Sequence, residues 1–226
     1  MVDSSEPAPS MAAHTYKRDQ TRAEEFANAL SHGIGLLLAI AALPVIVHAA
    51  IGRGRSAEVV AASIFSGTMI VLFLVSTLYH AMPAGRAKVW LNRLDHASIY
   101  LFIAGSYMPF LLGVLHGAWG WSLFGVVWGA AALGIVAKLL DRLRHPLLST
   151  GLYVAMGWVA LIAAAPMVER MSGAGLVWLV AGGLSYTLQS PAFVVAQTRT
   201  GRRPRVISRR CPRVLRCVPH RSFKGE

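Results

Sequence analysis

Four side chains in this sequence have the types and spacing for hydrolytic chemistry: His32, Ser76, His80 and Asp95. Ser76 and His80 are four residues apart, so on a helix they share a face about 6 Å apart along the axis. Asn28 and His32 repeat that spacing, and Glu25 lies about one turn before Asn28. Imidazole nitrogen and carboxylate oxygen together suit zinc or a related metal, with His80, Asp95 and His32 as the ligand candidates. A water on such a metal loses its proton readily and attacks a carbonyl. Ser76 and Asp95 are the candidate catalytic partners, Asp95 by orienting a histidine or that water. The same residues also fit a plainer role, as polar groups near a membrane interface that pair with one another or with lipid headgroups.

The elements that must position them are apolar and long. Of 226 residues, 55% are hydrophobic and only 14% charged, against about 25% charged in an average soluble domain. Six apolar stretches, at about 29–50, 59–79, 95–115, 119–140, 148–168 and 173–195, are each long enough to cross a bilayer, which takes about 20 helical residues. They show almost no polar face, unlike helices of a soluble core. The expected fold is therefore all-α, a polytopic transmembrane helical bundle over 24–195. A polar 1–23 stretch precedes it and a basic tail over 196–226 follows, both read as disordered. Short amphipathic pieces are expected at about 21–28 and 89–94. Asp95 is expected to open the third helix, where a carboxylate caps amides and meets the helix dipole favourably. His96 is read as interfacial, and His48, His116 and His145 as loop or helix-end residues. Tyr100, Ser106 and Tyr107 are candidates to line the interior. Gly125, Gly129 and Gly134, with Gly151, Gly157, Gly182 and Gly183, read as close helix packing.

Charge placement sets the orientation. Residues 1–190 carry a net +3 and residues 191–226 a net +9. Arg86, Lys88 and Arg93, then Lys138, Arg142 and Arg144, load the connections after the second and fourth spans, while Arg53, Arg55 and Arg170 stand thinly on the other side. By the excess of Lys and Arg in cytoplasmic loops, both termini lie in the cytoplasm. Three candidate residues then fall in one layer near the inner interface: His32 at the start of the first span, His80 at the end of the second, Asp95 at the start of the third. The ten basic residues of the tail suit contact with anionic inner-leaflet lipid, and no specific nucleic acid is expected. Cys211 and Cys217 read as unpaired thiols.

The segments EEFANALSHGIG at 24–35, STLYH at 76–80, LDHASIYLFIAGSYMPF at 94–110 and GGLSYTL at 182–188 resemble, in order, those of the bacterial hemolysin III family. That family is grouped with the progestin and adiponectin receptors and is distantly similar to alkaline ceramidases. The resemblance implies a seven-helix bundle in the bacterial inner membrane, with a zinc site near the cytoplasmic face. His80 would be a ligand, Asp95 would act through the metal-bound water, and Ser76 corresponds to the family's serine. The two other ligands would come from a His-x-x-x-His pair on a seventh helix. No such pair follows Leu188 here, which leaves six of seven helices and reads as a truncation or reading-frame change with an impaired metal site. The function implied is zinc-dependent hydrolysis of a lipid amide or ester. The alternatives are a pore-forming, cytolytic protein and a factor in membrane homeostasis.

Overall fold

The computed structural model describes residues 20–115, 117–143 and 146–185. The 1–19 stretch, His116, His145, the end of the sixth span and the basic tail with Cys211 and Cys217 lie outside the described residues. Everything described is helix or short turn, so the all-α expectation holds.

Helix α1 (Arg22–Ile51) begins at a capping box. The Thr21 hydroxyl accepts the Glu24 backbone N–H at 3.2 Å, and the Glu24 carboxylate accepts the Thr21 N–H at 2.8 Å. That pairing satisfies two of the amide donors left open at any helix start. It also merges the expected amphipathic piece with the first span, putting Glu25 and His32 on one rigid rod. Helices α2 (Ser56–Ala81) and α3 (Arg86–Gly113) follow across short turns. Here too the piece at 89–94 is continuous with the span after it. Asp95 is thus inside α3 rather than at its start, and the capping role expected for it does not arise. Helix α4 (Ala118–Leu139) completes the first four spans.

The fifth span is not one regular helix. Helix α5 (Pro146–Trp158) passes into a 3₁₀ segment (Val159–Ala163) and then α6 (Ala164–Arg170). Tyr107 explains the change. Its buried hydroxyl donates toward the Met156 and Gly157 carbonyls, each at 2.8 Å, and accepts the Ala160 N–H at 3.0 Å. Carbonyls that lose their α-helical partners there find one on α3 instead, as an interrupted membrane helix requires. Helix α7 (Gly173–Ser185) begins the sixth span. Five segments, counting 148–170 as one, are long and apolar enough to cross a membrane, and α7 is a shorter apolar helix. The result is the expected six-helix membrane bundle.

Helix α3 is the hub, packing on α2, α4 and α5, while α1 packs on α2. Tyr100, Ile103, Ala104, Tyr107, Met108 and Leu111 of α3 are all buried. Outward-facing Leu37, Leu133 and Trp178 remain about two-thirds or more exposed, at 68%, 74% and 79%. Such faces suit hydrocarbon and would be costly in water. Trp90, Trp119 and Trp121 are exposed near helix ends, as interfacial aromatics are. The small-residue expectation needs correction. A Cβ at Gly125, Gly129, Gly151, Gly182 or Gly183 would meet nothing within 4 Å, whereas one at Gly134 would lie 2.5 Å from the Tyr100 ring. Of these glycines only Gly134, which faces α3, is at close approach, and Gly125 and Gly129 on the same helix are open.

Candidate functional site

Helices α1, α2 and α3 converge at the end of the bundle where α1 begins. Gly35 permits this, since a Cβ there would fall 2.6 Å from the Phe73 ring of α2. With α1 so close, the His32 and His80 rings stack with planes 2° apart and centroids 5.6 Å apart. Phe73 lies 6.1 Å from His32, and Tyr79 lies 4.6 Å from His80. Ser76 is buried one turn before His80.

Glu25 is the centre of the cluster. Its Oε2 accepts the His80 Nδ1–H at 2.7 Å, and its Oε1 accepts Lys88 Nζ at 2.8 Å. Both distances are in the short range of charge-assisted hydrogen bonds. The three side chains are 20%, 10% and 18% exposed, so water screens them only in part. Lys88 also donates to the Met82 carbonyl at 3.0 Å and lies 5.1 Å over the Tyr79 ring. Holding the proton on Nδ1 leaves the Nε2 lone pair of His80 as the basic site.

The layer expected from the sequence is therefore partly assembled. His32 and His80 stack between α1 and α2, Ser76 is buried one turn from His80, and Asp95 lies within electrostatic reach of His32. Asp95 is also 3.8 Å from His96, whose Nδ1–H donates to the Asn92 carbonyl at 2.8 Å. The sequence named neither Glu25 nor Lys88 as a partner of His80. The available signal was the Glu25, Asn28, His32 face of α1, which points at α2.

The resemblance implies zinc, and the donors can be tested for it. Glu25 occupies one nitrogen of His80. Among the described residues, no group of three or more His, Cys, Asp or Glu side chains is arranged to hold a metal ion. Structural and catalytic zinc sites use three or four protein ligands. The described residues do not fit a zinc centre.

Known proteins are similar to this chain in sequence. Residues 20–206 match the family model described as haemolysin-III related, a match that runs past Leu188. The chain is 44% identical to the hemolysin-3 homolog of Bacillus subtilis (strain 168) over 171 residues, 76% of this chain and 80% of that one. It is 39% identical to hemolysin-3 of Bacillus cereus, over 76% and 78% of the two chains. It is 30% identical to the human monocyte to macrophage differentiation factor over 58% of this chain and 56% of that one. No solved structure matches. The chain belongs to the haemolysin III-related family, as a bacterial multi-pass membrane protein.

Proposed function

We propose that this membrane protein hydrolyses an amide or ester bond of a lipid, with His80 as general base. The observation that carries the reading is the 2.7 Å bond from His80 Nδ1 to Glu25. A carboxylate that fixes one imidazole nitrogen readies the other to take a proton. In the step proposed, water gives one proton to His80 Nε2 while its oxygen bonds to the lipid carbonyl carbon. The C–N or C–O bond then breaks, and the leaving group takes a proton from the imidazolium. Asp95 lies within electrostatic reach of His32 beside that centre, and Ser76 is buried one turn before His80 on the same helix. The same reading places both termini in the cytoplasm and the cluster at the inner leaflet, supported by Arg86, Lys88 and Arg93 at this end of the bundle.

The test uses the full chain in lipid nanodiscs with mixed phospholipid and ceramide-type amides. Mass spectrometry is expected to find released fatty acid with wild-type protein and none with His80→Ala. Equal release by both removes the reading. Zinc content of the same samples tests separately the metal that the resemblance implies, which this step does not use.

A second reading follows from the relatives named hemolysin-3: membrane lysis through pore formation. Leakage of a trapped dye from liposomes, unchanged by His80→Ala and without lipid cleavage, would favour it.

A further inference from the structure

Beside the cluster, and sharing Tyr79 and Lys88 with it, is a cavity of about 330 Å³ lined also by Val89, Asn92, Arg93 and Asp141. We infer that it is a binding site for a phosphate group, presented by a glycerophospholipid headgroup. Nothing in the hydrolytic step uses it, and it stands whether or not that step occurs.

Its donors are held in place with capacity to spare. The Asn92 Nδ2 amide is buried with no hydrogen-bond partner. An orphaned buried donor costs free energy unless something accepts from it. Arg93 makes two contacts here, both long: 3.5 Å to Asp141 Oδ2 and 3.5 Å to the Leu139 carbonyl. Charge-assisted bonds prefer about 2.7–2.9 Å, so the guanidinium fork is not saturated. Of the three Lys88 ammonium donors, Glu25 and the Met82 carbonyl occupy two. An ammonium, a guanidinium and an amide N–H₂ outnumber the one carboxylate, Asp141, around the cavity, and a tetrahedral oxyanion is what such donors bind.

The surroundings favour a lipid as the source. Val89, Trp90 and Leu94 flank the pocket on α3 and are 57%, 56% and 41% exposed. Arg93 lies 5.1 Å over the Trp90 ring. An apolar rim with an interfacial tryptophan next to a basic pocket matches the depth of a phospholipid phosphate. Asp141 is the opposing charge. It sits at φ 56° where the chain leaves α4, with the Arg142 N–H returning to the Ala137 carbonyl at 2.9 Å. Asn tolerates that left-handed conformation as well as Asp does, so Asp141→Asn removes the charge and keeps the turn.

The experiment is native mass spectrometry of the full chain in detergent with added phosphatidylglycerol, paired with equilibrium dialysis against radiolabelled inorganic phosphate. Arg93→Gln is expected to weaken phosphatidylglycerol binding about tenfold, and Asp141→Asn to strengthen it about threefold. The opposed signs separate a binding effect from misfolding, which lowers both. Lipid retention with no phosphate uptake assigns the site to a headgroup. Phosphate uptake that Arg93→Gln abolishes supports the phosphate chemistry but overturns the lipid source. Equal lipid retention by wild type, Arg93→Gln and Asp141→Asn overturns the site.

Discussion

Replacing Glu25 with Ala removes the acceptor for two donors at once. His80 Nδ1 and Lys88 Nζ lose bonds of 2.7 and 2.8 Å, from side chains only 10% and 18% exposed. Breaking a fully buried ion pair costs about 3–5 kcal/mol, whereas an exposed pair is worth about 0.2–1 kcal/mol. This cluster lies between those limits, so Glu25→Ala is expected to cost about 2 kcal/mol. The assay is reversible unfolding in mixed micelles, with Lys88→Met, His80→Ala and the two double variants completing the cycles. Each cycle is expected to show coupling of about 1 kcal/mol between Glu25 and its partner. Strict additivity, or a Glu25→Ala protein within about 0.5 kcal/mol of wild type, would refute the claim that Glu25 organises this end of the bundle.

Other variants test the scaffold by the same unfolding measurement. Tyr107→Phe deletes the hydroxyl that serves Met156, Gly157 and Ala160, and is expected to cost about 1–2 kcal/mol, near the upper range for membrane interhelical hydrogen bonds; no loss means that the 3₁₀ break holds itself. Gly134→Ala puts a methyl 2.5 Å from the Tyr100 ring and is expected to cost about 1–3 kcal/mol. Gly129→Ala, which meets open space, is expected to be neutral or slightly stabilising. Equal losses at the two glycines would contradict the packing described. Thr21→Ala should cost about 1 kcal/mol through loss of the capping box, and hydrogen exchange should rise in the first turn of α1.

The apolar stretches made the spans legible because hydrocarbon leaves little choice: a segment of that length must satisfy its own backbone. The end of the bundle that each span presents was legible for the same reason. Alternation of direction put His32, His80 and Asp95 at one end before any packing was known. Helix starts were less visible. The Thr21–Glu24 box and the run from Arg86 extend two helices beyond their apolar parts, because polar first turns continue a helix that apolar counting ends. That is why Asp95 read as a cap. The Glu25–His80 bond was hidden because it joins two helices, and one sequence gives rotation about each axis only roughly. Gly35 and Gly134 could not be told from Gly129 without the partner ring that fills the space.

His80, held by Glu25, is the proposed base of lipid hydrolysis. The most direct measurement is the initial rate of fatty-acid release in nanodiscs by wild type, His80→Gln and Glu25→Gln, each first shown to be folded. Loss of a general base typically costs about 10²–10⁴ in rate. His80→Gln is expected in that range, with Glu25→Gln between it and wild type. A folded His80→Gln protein that keeps the wild-type rate, or a wild-type protein that releases no fatty acid from any lipid amide or ester supplied, would contradict it.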